Sequence, residues 1–112
     1  MRKDRIASVM SREISEIIEH EIKDPRLGFV TITTVDVSRD LKTATVYFSS
    51  LNNKQEGLAT LNRAKGYIKS SLAHRVRIRY IPNSEFKIDN SYEYGGKIDA
   101  LLEEINPDDN EQ

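Results

Sequence analysis

The chain has 112 residues, of which 38% are hydrophobic and 31% charged, and a formal net charge of −1, which fits one globular domain. It contains no cysteine, which excludes a disulfide framework and a thiolate metal site and favours a reducing, cytoplasmic location. No stretch approaches about 18 consecutive apolar residues. We therefore expect no membrane span, and we expect no signal peptide because no apolar run follows the basic start.

The charges are distributed unevenly along the chain. Residues 57–84 hold six Lys and Arg and no acid, whereas residues 85–112 hold two Lys and nine Asp and Glu. Such asymmetry favours a basic face for an anionic partner, with the acidic end of the chain kept elsewhere.

The first predicted element is a helix. Apolar residues recur at helical spacing from Ile6 to Ile22, and Pro25 ends the pattern. Three cations stand at its start, where the helix dipole makes them mildly unfavourable, namely Arg2, Lys3 and Arg5. Cations at such a position either have an outside anionic partner or belong to a solvated terminus, and the sequence leaves both readings open.

Two β-rich segments follow and predict an antiparallel hairpin, with strands near 29–37 and 42–49. The first strand changes its apolar phase in the middle, which predicts a β-bulge near Thr33 and Thr34. The second strand alternates strictly, so we expect one buried face, formed by Ala44, Val46 and Phe48.

The second half of the chain returns to helical spacing. Asn53 followed by Glu56 has the spacing of a capped helix start, and a helical apolar stripe then runs to Leu72, interrupted at Gly66. The segment Arg75–Ile81 alternates arginine with apolar residues, which predicts a third strand with one charged face. A last helical stripe reaches Ile105, and the acidic end from 106 to 112 has the composition of a disordered tail.

This order of elements predicts an α+β fold. The second strand reaches the third through two helices, so the two should be parallel with a right-handed crossover, and the second strand should be central. The result is a single-domain sandwich over residues 1–105, with helices on one face of a three-stranded mixed sheet. We expect the tail at 106–112 to be dispensable for folding.

Catalytic motifs are absent from the sequence. There is no glycine-rich phosphate loop, no nucleophile elbow and no zinc-binding helix motif. His20 lies among acids on the first helix, as on a solvated face, and His74 near a helix end is explained by the dipole. We therefore predict a protein that is not an enzyme and has no cofactor or metal.

The acid-free window is the most informative feature. Its cations span several predicted elements without local counter-charges, which favours binding to a phosphate backbone over a merely solvated face. The predicted RNA-binding residues are Arg63, Lys65, Gly66, Lys69, Arg75, Arg77 and Arg79, with Arg2, Lys3 and Arg5 as weaker candidates. An alternative is a module that docks an acidic protein through the same face, and a metal-assisted RNA-processing enzyme is a more distant one.

Three segments resemble the bacterial ribosome-binding factor A family: DPRLGFVTITTVDVSRDLKTATVYFS, LNRAKGYIKSSLAHRVRIRYIP and FKIDNSYEYGGKIDALL. The resemblance runs from the first helix to about Ile105. It implies a KH-like fold of the second type, in a monomeric, cytoplasmic factor that binds the small (30S) ribosomal subunit. It further implies contact with 16S rRNA and neighbouring ribosomal proteins, assistance in late maturation and 5′-end processing, and importance in cold adaptation.

The resemblance also gives a role to the glycine inside the basic window. Ordinary KH domains clamp nucleotides with a Gly-x-x-Gly loop between two helices, and no two glycines here have that spacing. The family instead has Ala-x-Gly at a helix–kink–helix, which Ala64, Lys65 and Gly66 match. We expect Gly66 to break the helix at the RNA-binding face, in a conformation or at a close approach that alanine would not tolerate.

Overall fold

The apolar stripe that predicted the first helix is buried in the structure, a computed structural model that describes residues 2–91. Helix α1 (Lys3–His20) ends two residues before the stripe does, with the N–H of Glu21 bonded to the Ile17 carbonyl at 2.8 Å. The residues that it buries lie on one side, namely Ile6, Met10, Ile14, Ile17 and Ile18. This side packs on a core shared with the sheet.

The sheet has the predicted topology. Strands β1 (Val30–Val37), β2 (Thr43–Ser50) and β3 (Asn83–Ile88) lie in the order β1-β2-β3, with β1 antiparallel and β3 parallel to the central β2. The register of β1 shifts between Ile32 and Thr34, which confirms the bulge. The buried face of β2 is also confirmed, since the three residues that are fully buried there are Ala44, Val46 and Phe48.

The third strand lies later in the chain than the sequence predicted. The segment after α3 is not a strand, and β3 pairs with β2 from Asn83 beside Thr43 to Ile88 beside Phe48. The prediction was wrong because alternation alone does not say which segment reaches the sheet. Residues 76–82 carry the chain from the end of α3 back to the start of β2, and Ser84 and Phe86 then supply the buried positions.

The helix start at Asn53 and the break in the helical stripe are confirmed. Helix α2 (Lys54–Arg63) begins where the N–H of Glu56 donates to Asn53 Oδ1 at 3.0 Å. It is separated from α3 (Lys65–Arg75) by Ala64, whose φ of −89° and ψ of 2° depart from helical values. The break between α2 and α3 is called the kink below.

The expected cause of the kink is wrong, because Gly66 lies in the first turn of α3 rather than at the break. Its φ is not in the positive region, and a Cβ built on it would meet no atom within 4 Å. The conformation of Ala64 makes the kink. The space beside Lys65 is open at Gly66, and the backbone at this position does not require glycine.

Some predictions fall on residues that the structure does not describe. The last helical stripe up to Ile105, the domain limit at that residue and the acidic tail at 106–112 all lie outside residues 2–91.

Replacing Gly66 with alanine should stabilise the protein, by up to about 1 kcal/mol, since alanine is the better helix former and its methyl group meets open space. Gly28→Ala is the matched control. Gly28 has a φ of +68°, and its added Cβ would lie 2.5 Å from Asn52 Oδ1, so this variant should lose about 1 kcal/mol or more. Urea unfolding of both variants measures the change in the free energy of unfolding. A Gly66→Ala variant that is less stable than the parent protein would show that Gly66 causes the kink.

Candidate nucleic-acid interface

Helix α3, which carries part of the basic window, is held to α1 and the residue after it by two carboxylates. Glu21, just past the end of α1, accepts hydrogen bonds from Tyr67 Oη at 2.7 Å, Ser71 Oγ at 2.9 Å and Arg75 Nη2 at 2.5 Å. The three donors are spaced four residues apart and therefore lie on one side of α3. Arg75 Nη1 also donates to Glu13 at 3.1 Å, so the guanidinium bridges Glu13 on α1 and Glu21 just after it.

These bonds have a clear electrostatic consequence. Those from Arg75, Tyr67 and Ser71 lower the pKa of Glu21 to about 2, and the Arg75 bond also lowers the pKa of Glu13. The prediction that Arg75 lies on a strand face is wrong, because it is the last residue of α3. Its charge is neutralised by two acids that are distant in sequence, which the acid-free window could not show.

Three cations remain around the kink and form what we call the kink surface, namely Arg63, Lys65 and Lys69. All three are exposed. Arg63 Nη2 donates to Thr60 Oγ1 at 3.0 Å and Lys69 Nζ donates to Asn83 Oδ1 at 2.7 Å. Within residues 2–91, Lys65 has no hydrogen-bonding or ionic side-chain partner. Lys65 and Lys69 are one turn apart, so they lie on the same side of α3.

A second basic region surrounds a groove of about 610 Å³, which we call the basic groove. It lies between the first turns of α1, the β1–β2 turn and the segment that connects α3 to β3. The cations that line it are Lys42, Arg77 and Arg79. Ile6 also lines it, and the weaker candidates of the sequence, which are exposed, immediately precede Ile6: Arg2, Lys3 and Arg5.

The kink surface and the basic groove adjoin each other through Asn83. This residue lines the groove, and its side-chain oxygen accepts the hydrogen bond from Lys69. Lys69 of the kink surface therefore lies next to the groove that Arg77 and Arg79 line, although β3 is not where the sequence placed it.

Lys42 and Tyr80 line the groove and were not among the predicted sites. Lys42 gave no signal, because it lies in a stretch of the sequence with balanced charge and only the fold brings it to Arg77. Tyr80 lies in the segment that the alternation of arginine with apolar residues predicted as the third strand. In the structure it is 73% exposed, with the guanidinium carbon of Arg79 at 5.4 Å from its ring centroid.

The part of the chain that the structure describes contains neither a metal cluster nor a membrane-spanning helix. Among residues 2–91, no group of three or more His, Cys, Asp or Glu side chains is placed to hold a metal ion. His20 is exposed and lies 3.5 Å from Glu16. Over the same residues, no helix is long and apolar enough to cross a membrane.

Comparison with known proteins gives the family of this chain. The family model described as ribosome-binding factor A matches residues 2–102. The chain belongs to the ribosome-binding factor A family. Ribosome-binding factor A of Staphylococcus carnosus is 42% identical over 112 residues, covering 97% of both chains. That of Macrococcus caseolyticus is also 42% identical, covering 96% of this chain and 97% of the other.

Solved structures of ribosome-binding factor A share the fold. The crystal structure from Thermus thermophilus is 31% identical and superposes with a TM-score of 0.73, covering 79% of this chain and 97% of that one. A homology model of the Thermus thermophilus factor, fitted into a cryo-electron microscopy map of a 30S–RbfA complex, gives a TM-score of 0.71 at 29% identity. That match covers 80% of this chain and 97% of the other. The predicted family and α+β fold are thus confirmed.

The Glu21 carboxylate should make stability depend on pH. Its folded pKa of about 2 lies below the ordinary 4.5, so the stabilisation is fully present above pH 4.5 and is lost as the pH falls towards 2. Glu21→Gln should lower the urea midpoint at pH 7 and flatten this acid-side decline. The exposed Glu19→Gln is the control and should follow the parent protein. Equal acid-side declines in the parent and in Glu21→Gln would contradict the assignment.

Proposed function

We propose that this protein is a non-catalytic assembly factor that binds the small ribosomal subunit, with the kink surface and the basic groove on its 16S rRNA. The observation that carries the proposal is the continuity of these cations through the Lys69–Asn83 hydrogen bond. Family membership and the 30S complex of the Thermus thermophilus relative support it. Late maturation and 5′-end processing of the rRNA, in the cytoplasm and with importance in the cold, are the finer parts of the same proposal.

The local structure at the kink suits a phosphate group. Helix α3 begins at Lys65 without a side-chain cap from Ala64, so the positive end of its dipole opens beside Lys65. Gly66 presents no side chain there, which lets a backbone phosphate approach the first turn. Arg63 and Lys69 flank this position, and the groove cations continue the surface, with Arg2, Lys3 and Arg5 at its far end.

Docking of an acidic protein is the second candidate, since a partner of either kind would meet the same positive charge. Neighbouring ribosomal proteins fit within the first proposal as additional contacts. Only the first candidate requires the protein to bind RNA that carries no protein. A binding measurement with such RNA therefore separates the two candidates.

Reversing two charges at the kink should abolish binding to the small subunit without unfolding the protein. Arg63→Glu with Lys69→Glu should shift stability by about 0.5 kcal/mol each, because both residues are exposed. Arg12→Glu with Lys87→Glu changes the net charge equally at sites outside the kink surface and should retain most binding. Sedimentation with purified subunits measures binding, and equal losses in both double variants would refute the assigned surface.

Binding to RNA should weaken steeply with salt. If about four to six phosphates are neutralised, the slope of log K against log salt should be roughly −3 to −5. Fluorescence anisotropy with protein-free 16S rRNA fragments measures the slope, and a value near zero would contradict electrostatic binding.

A further inference from the structure

The basic groove differs from the kink surface because part of its wall is apolar. Leu41, Ile78 and Ile81 line it and are partly buried against the core. Its volume of about 610 Å³ lies within the range of roughly 300–1,000 Å³ typical of small-molecule sites. A surface that only neutralised phosphates would need no such recess, so the groove suits a ligand with both an apolar and an anionic part.

Tyr80 adds an aromatic surface to this recess. The ring lines the groove and is 73% exposed, so it does not serve as a core residue. The Arg79 guanidinium lies 5.4 Å from the ring centroid, which places a cation beside the aromatic face. An exposed aromatic ring flanked by cations is the arrangement on which unpaired bases stack, whatever their identity.

The β1–β2 turn forms another part of the groove lining. Asp40 Oδ1 accepts hydrogen bonds from Ser38 Oγ at 2.7 Å and from the Lys42 N–H at 3.0 Å, so this acid is engaged within its own turn. Leu41 has a φ of 64°, which residues other than glycine, asparagine and aspartate rarely adopt. The turn thus holds Leu41 against the groove while the cation of Lys42 stands at its rim.

We propose that the basic groove binds one unpaired nucleotide of RNA, with its base stacked on Tyr80 and its flanking phosphates contacted by Lys42 and Arg77. This inference rests on the proposed function and deepens it, because it specifies single-stranded RNA at one end of the cationic surface. Stacking on Tyr80 needs a base with a free face, which a base inside a duplex lacks, whereas the kink surface could contact either form of the backbone. The groove therefore gives the protein a means to distinguish an unpaired strand from a duplex.

The test compares the affinity of the protein for an oligonucleotide that carries bases with its affinity for the same backbone without them. The full chain is titrated at low salt into a fluorescein-labelled uridine hexanucleotide, or into the same labelled backbone with abasic sites. Fluorescence anisotropy measures the affinity for each. The parent protein should bind the uridine form about tenfold or more tighter, which corresponds to one stacked base. Tyr80→Leu should remove most of this preference and leave abasic binding unchanged, while Tyr80→Phe should retain it.

Phe29→Leu is the matched control, because Phe29 is also 73% exposed but lies outside the groove. It should retain the base preference. Equal affinity of the parent for the two oligonucleotides, or an intact preference in Tyr80→Leu, would overturn the inference. A third outcome would also overturn the inference: a polyglutamate peptide binds the parent as tightly as the uridine form does, and this binding is lost in Tyr80→Leu. That result would indicate an acidic protein partner.

Binding of the parent protein to intact small subunits is measured in parallel. Subunit binding without base preference in the oligonucleotides would refute the stacked nucleotide and leave the proposed function standing. Failure to bind the subunit would refute the proposed function, and the inference would fall with it.

Discussion

Helix α3 is fixed against α1 by hydrogen bonds that converge on the carboxylate of Glu21. Because Tyr67, Ser71 and Arg75 occupy the side of α3 that faces this carboxylate, Ile68 and Leu72 are directed into the core. Lys65 and Lys69 are then left on a free flank next to the start of β3. The position of the cationic surface thus depends on an interaction that lies away from it.

The parallel pairing of β2 and β3 is the second constraint. Asn83 must lie beside Thr43, so the chain that leaves α3 has to return along the first turn of α1 to the β1–β2 turn. Residues 76–82 make this return, and the basic groove forms where they meet Ile6 and Leu41. The crossover that the fold requires thereby places Arg77, Arg79 and Tyr80 around a groove whose Asn83 is bonded to Lys69.

Most of the fold was predictable because it depends on local patterns. The alternation of β2, the phase change of β1 and the cap at Asn53 are each encoded within a few residues. The position of β3 was not predictable, since the Arg75–Ile81 segment and the Asn83–Ile88 segment both alternate and only tertiary pairing decides between them. The same holds for the site: the cations were found from the sequence, but the pairing of Arg75 with Glu13 and Glu21 and the approach of Lys42 to Arg77 arise only in the folded chain.

The central claim is that the kink side of the molecule, and not the open face of the sheet, contacts rRNA. Since the chain has no cysteine, single cysteines can carry a tethered iron reagent that cleaves nearby RNA, at Asn62 beside the kink and at the exposed Thr34 on β1, the edge strand away from β3. In a complex with the small subunit, the Asn62→Cys derivative should cleave 16S rRNA at defined positions and the Thr34→Cys derivative much less. Stronger cleavage from Thr34→Cys would contradict the account.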